Sequence, residues 1–174
     1  ELDDAIIYAA DHLSMYQLTI EQGTPFAALQ KAGKLTVPDG GHSADLYALT
    51  QEVTAKHGMP AYEVSNHAVP GAESRHNLVY WRYGEYAGIG PGAHGRLTLG
   101  GTRWATEAPK APLPWLRLVE TTGGGEMARV PVPMGEQATE YLMMSLRLTE
   151  GCDMARYATL AGTALDDNII NGLQ

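Results

Sequence analysis

His12-Leu-Ser-Met-Tyr-Gln-Leu-Thr-Ile20 is a nearly continuous apolar run, with Leu13, Met15, Tyr16, Leu18 and Ile20 falling on both parities. A strand wetted on one face alternates, whereas one with apolar residues on both parities is buried on both faces, as in a parallel sheet. Upstream, Leu2, Ile6 and Ala9 share a helical face, so residues 2–10 read as a helix. Downstream, Glu21-Gln-Gly-Thr24 is a turn and Pro25 suits the first position of a short helix ending near Gly33. Pro38-Asp-Gly-Gly breaks the chain. Ser43 can cap the next helix, whose Leu46, Leu49 and Val53 keep helical spacing up to Gly58-Met-Pro60. Residues 61–66 read as a second strand. Helix, strand, helix, helix, strand is the rhythm of a parallel α/β unit.

The character changes after residue 66. A loop with Pro70-Gly71 leads into His76-Asn-Leu-Val-Tyr-Trp81 and then Gly88-Ile-Gly-Pro-Gly-Ala-His-Gly95. Arg96-Leu-Thr-Leu99, Gly100-Gly101 and Thr102-Arg-Trp-Ala105 predict a β-hairpin, because paired glycines suit the positive φ angles of a type I′ turn. Residues 107–135 carry Pro109, Pro112, Pro114, Pro131, Pro133 and Gly123-Gly-Gly125, and read as a linker with one helix around 115–119. A helix over 136–149 follows, with Ala138, Tyr141, Leu142, Leu146 and Leu148, and further helix over 153–172. The expected division is therefore 1–106, a linker 107–135, and the start of a helical part over 136–174.

Length and composition bound the function. A chain of 174 residues suffices for one domain with a core or two small lobes. Its net charge of −8 argues against general nucleic-acid binding, which needs a basic surface. Within residues 71–105, four arginines (75, 82, 96, 103) face only Glu73 and Glu85, a local +2. Cys152 is the single cysteine, so no internal disulfide and no multi-thiolate metal site can form. No apolar run approaches a membrane span of about 18 residues, no signal peptide opens the chain, and a reducing cytoplasm is expected. Both ends read as cut from a longer protein.

Gly90-Pro-Gly-Ala-His-Gly95 formally matches the dinucleotide-binding GxGxxG, but a hairpin follows where that fold needs a helix. The glycines can serve close ligand approach or tight packing, and packing is the ordinary reason. His76 and His94 can ligate iron or can be hydrogen-bonded structural residues. Tyr80, Trp81, Tyr83 and Tyr86 can line a flat macrocycle or can be interior rings. The four arginines can grip propionates or be ordinary surface charges. Each feature alone is weak; together they suit a flat, apolar, anionic ligand. Glu63, Glu73 and Glu85 form no diagnostic acid–base pair, Ser65-Asn66-His67 lacks a nucleophile elbow, and Cys152 reads as a small buried hydrophobe.

The stretches at 12–24, Tyr62-Glu-Val-Ser-Asn66, Arg75-His-Asn-Leu-Val-Tyr-Trp-Arg82 and Gly88–Gly95 together resemble the oxygen-independent coproporphyrinogen III oxidase-like proteins, a radical S-adenosylmethionine (SAM) family, over residues 1–150 or so. The HNxxYW element resembles the haem chaperone branch rather than the true oxidase. The resemblance implies an α/β fold, α+β overall: the last βα units of a partial (β/α) barrel, a hairpin and a helical C-terminal domain. It implies haem contact by His76, the possible iron ligand, with Asn77, Tyr80, Trp81, Arg75 and Arg82, and a weaker role for Thr19 and His94 on the SAM or substrate side. It implies a [4Fe-4S] cluster and SAM in the parent protein. The family's CxxxCxxC motif is not among these residues, so the chain alone is expected to be inactive towards SAM. The expected partners are haem or porphyrin, the missing N-terminal half of the barrel and a haem-acceptor protein, with a membrane-associated acceptor left open. An exposed barrel edge also predicts dimerisation or aggregation. Three readings stay open: a haem chaperone fragment, a fragment of a porphyrin-biosynthesis oxidase, and a structural scaffold half.

Overall fold

A computed structural model describes residues 1–166 and Gly172; the rest of the expected 153–172 helix lies outside the described residues. The chain divides into two compact units, Glu1–Ser74 and Arg75–Gln174.

In the first unit, α1 (Leu2–Tyr8) carries Asp3 and Asp4 in its first turn, where carboxylates favour the helix dipole, and buries Ile6. It packs against α3 (Gly40–Lys56), and Asp3 receives a 2.8 Å hydrogen bond from His57 just past the end of α3. Between them come β1 (His12–Ser14) and α2 (Pro25–Lys31), the latter capped by Thr24 with Pro25 in the first helical turn, as expected. The α3 cap differs from expectation. Asp39, not Ser43, accepts the His42 amide at 2.8 Å, and the helix starts at the Gly40-Gly41 pair. A carboxylate caps at least as well as a hydroxyl, so Asp39 can start the helix four residues before Ser43.

The long strand expected over 12–20 is shorter. Only His12–Ser14 pair, and Tyr16 and Leu18 are 77% and 56% exposed. After α3 come β2 (Ala61–Glu63) and β3 (Asn66–Ala68). The sheet order is β1-β3-β2, with β3 antiparallel to both neighbours (Leu13↔His67, Ala61↔His67), so β1 and β2 run in the same direction with a reversed strand between them. A turn at Val64-Ser65 reverses the chain, and after Met15 N–H donates to the Ser65 carbonyl (2.8 Å) the next residues have no partner strand. An apolar run specifies burial, but a ladder also needs a neighbour for its backbone groups. Ile6, Met59, Tyr62 and Ala68 are buried here together with the polar Thr54, Glu63, Asn66 and His67. Glu63 accepts from the Ser65 amide (2.9 Å) and the Asn66 carboxamide, and the exposed Ser14 donates to Asn66, so the buried Glu63 and Asn66 each have partners.

The second unit opens with α4 (Arg75–Trp81), followed by the expected hairpin of β4 (His94–Leu99) and β5 (Thr102–Glu107). Gly100 and Gly101 sit at φ 59° and 81°, and the register runs from His94↔Glu107 to Leu99↔Thr102. Then come α5 (Pro112–Thr122), terminated by Gly123 at φ 77°, and the short β6 (Val130–Pro131), which pairs with β5. Next is α6 (Met134–Ser145), which starts earlier and ends earlier than the expected 136–149. Last is α7 (Met154–Ala161), whose N-cap Asp153 accepts from the amides of Ala155 and Arg156. Tyr83, Ala108, Val132, Ala138, Tyr141 and Leu148 are buried, while Leu146 is 46% exposed beyond the end of α6.

Candidate functional site

Residues 75–81 form a helix, so His76 and Tyr80, four apart, stand on one face. Tyr80 Oη lies 3.0 Å from His76 Nε2, and the two rings meet edge-on at 4.8 Å. Tyr86 also meets Tyr80 edge-on, at 4.4 Å. Burial pushes the Tyr86 phenol pKa up. His76 and Arg75 are exposed; Asn77, Tyr80 and Trp81 are half-buried. The Arg147 guanidinium lies 4.3 Å above the Trp81 ring, and the Trp81 indole N–H is buried without a hydrogen-bond acceptor.

The helix stops because Tyr83 adopts φ 53°, in the left-handed region that side chains disfavour. What holds it there is its side chain. Tyr83 is buried, donates to Glu140 Oε2 at 2.6 Å, and has the Arg103 guanidinium stacked 3.8 Å from its ring centre. Burial and the bond to Glu140 push its phenol pKa strongly up.

The same contacts reassign the arginines. Arg82 makes a two-pronged pair with Glu150 (2.8 and 2.7 Å), and Arg96 pairs with Glu140 (2.7 Å). Arg103 is buried and donates to the Gly84 carbonyl at 2.9 Å. Arg82 and Arg96 therefore meet carboxylates of α6 and the turn after it, Arg103 meets a backbone carbonyl, and Arg75 is exposed, as is the paired Arg82. Sequence spacing gave no sign of Glu140 and Glu150, since they lie 44 and 68 residues from their partners.

The glycine loop serves close packing. A Cβ on Gly88 would collide with the His94 backbone carbonyl, and one on Gly95 with Thr106 Oγ1. His94 is exposed, its Nδ1 3.6 Å from Glu107 across the hairpin. Thr19 belongs to the first unit, exposed in the segment after β1. It lines a cavity of about 700 Å³ with Tyr16, Leu18, Leu46, Gln51 and His67, a feature the sequence did not signal.

Haem iron accepts imidazole as an axial ligand, and an exposed His76 fits that role. A [4Fe-4S] cluster is held by several thiolates. These residues do not fit one: Cys152 is the single cysteine, and no group of three potential metal ligands occurs among the described residues.

No family model matches the chain. It is homologous to part of two sets of curated proteins. "Radical S-adenosyl methionine domain-containing protein 1, mitochondrial" of Mus musculus is 41% identical over 155 residues, covering 87% of this chain and 35% of the relative. "Heme chaperone HemW" of Bacillus subtilis is 34% identical over 165 residues, covering 95% and 42% respectively. The chain thus spans about two fifths of the length of the curated relatives it matches. Its mixed helices and sheets also match the solved structure of coproporphyrinogen III oxidase (HemN) from Escherichia coli, described as a radical SAM enzyme. That match has a TM-score of 0.68 at 16% identity and covers 99% of this chain and 41% of that one. Among the described residues no helix is long and apolar enough to cross a membrane.

Proposed function

We propose that this chain is the haem-contact segment of a radical SAM haem chaperone, with His76 as an axial ligand of the iron and Tyr80, Trp81 and Asn77 supporting the helix that presents it. One observation carries the reading: in a homologue of proteins named heme chaperone, the HNxxYW residues form a helix whose histidine is exposed rather than enclosed in the core. Arg75, at the first turn of the same helix, is the cation on hand for a propionate, since a guanidinium fork matches a carboxylate. Arg82 reaches a propionate only by giving up Glu150. Thr19 and His94 belong to the SAM or substrate side of the parent protein, where the cluster and SAM do their chemistry; nothing in these residues performs that step. Delivery of haem to an acceptor protein in the cytoplasm, and self-association through the short edge strands, complete the proposal.

Ferric haem titrated into the purified chain should give a Soret band of a His-ligated species. His76→Ala should weaken binding about tenfold or more, since loss of a ligand costs at least as much as loss of a group that supports one. An unchanged spectrum and affinity in His76→Ala rejects ligation by His76.

A further inference from the structure

Resting on that reading of His76, we propose that Tyr80 is a latch: its hydroxyl occupies the place at His76 Nε2 that iron needs, so that α4 binds a tetrapyrrole weakly enough to release it. A neutral imidazole has one nitrogen with a lone pair and one with a proton. The Tyr80 hydroxyl lies 3.0 Å from His76 Nε2, whichever of the two carries the shared proton, and so stands where an iron bound to that nitrogen would have to sit. Ligation through Nε2 therefore requires that the Tyr80–His76 contact open.

The phenol is not a loose rotor. Its ring meets His76 edge-on at 4.8 Å and Tyr86 edge-on at 4.4 Å, so little side-chain entropy opposes re-forming the bond when the ligand leaves. The competition is modest in size, because His76 is exposed and water replaces part of what is lost. Modest competition suits a carrier, which must load and unload. It differs from the usual arrangement of a metal-binding histidine, in which a partner holds the other nitrogen and strengthens the ligand.

The test is a titration of ferric haem, read by Soret absorbance, into the chain, Tyr80→Phe, His76→Ala and the double variant. Tyr80→Phe keeps both ring contacts and removes only the hydroxyl. It should bind about threefold more tightly, the equivalent of one partly solvated neutral hydrogen bond, and release haem more slowly to excess imidazole. The double variant should match His76→Ala, because without the imidazole there is nothing to latch. If Tyr80→Phe binds equally or more weakly while His76→Ala loses affinity, the latch is overturned and the ligand assignment stands. If His76→Ala binds as the parent chain does, the assignment itself fails and the latch with it.

Discussion

Glu140→Gln should destabilise the second unit by about 2–3 kcal/mol at pH 7. One carboxylate from α6 accepts the Tyr83 hydroxyl at 2.6 Å and the Arg96 guanidinium at 2.7 and 3.2 Å. The Arg96 and Glu140 side chains are 22% and 25% exposed, between the regime of exposed pairs and that of fully buried ones. Exposed pairs contribute about 0–1 kcal/mol, and breaking a buried pair costs about 3–5 kcal/mol. Glutamine retains one carbonyl acceptor, so it can serve Tyr83 or Arg96 but leaves a charged donor poorly matched. Burial raises the Glu140 pKa, but the bonds from Arg96 and Tyr83 outweigh it and hold the carboxyl below its ordinary value. A carboxylate whose folded pKa is depressed stabilises the fold above its unfolded pKa, about 4.3, and that contribution is lost as the pH falls through the folded value. Urea unfolding of both proteins at pH 7, 5 and 3.5 should show the full gap at the first two and a narrowed gap at the last. A gap below about 0.5 kcal/mol at pH 7, or one that persists undiminished at pH 3.5, would refute the argument that this carboxylate holds Tyr83 in its left-handed conformation.

Two further outcomes follow from packing and burial. Gly88→Ala places a methyl against the His94 backbone carbonyl, which cannot swing aside as a side chain could, and should cost about 2 kcal/mol or more. Gly124, whose Cβ would meet open space, should tolerate alanine, and equal melting temperatures for the two variants would contradict the packing role of the loop. Burial holds the His67 imidazole pKa below its ordinary value against the opposing pull of Glu63, so the fold loses stability as the pH falls below about 6.5. His67→Phe should flatten the stability profile between pH 7.5 and 5; an identical slope in both proteins would show that His67 is not the group responsible.

Much of the local architecture was legible because it rests on short-range chemistry. Pro25 in the first turn behind the Thr24 cap, the Gly100-Gly101 turn and the helix around 115–119 each depend on residues within a few positions of one another. The α3 start was misplaced because Pro38-Asp-Gly-Gly read as a breaker, whereas Asp39 caps the helix and the Gly40-Gly41 pair opens it. The motif at 76–81 was visible as a pattern of residue types, but not as a helix, because Val79, Tyr80 and Trp81 are mediocre helix formers that packing against α6 overrides. The arginines were seen as available and were mostly engaged, since ion pairs across 44 and 68 residues leave no trace in spacing.

By itself, then, the amino-acid order determined the turns, the hairpin and most of the helices, α4 excepted, and which side chains could carry chemistry, since propensity, capping and turn preference act within a few bonds. Only the tertiary structure decided that β3 runs back between β1 and β2, that Arg82, Arg96 and Arg103 are engaged within their own unit, and that His76 stands in solvent with Tyr80 at its Nε2. Strand partners and charge pairs are settled by groups distant along the chain competing for the same hydrogen bonds, and that competition exists only once the chain has folded.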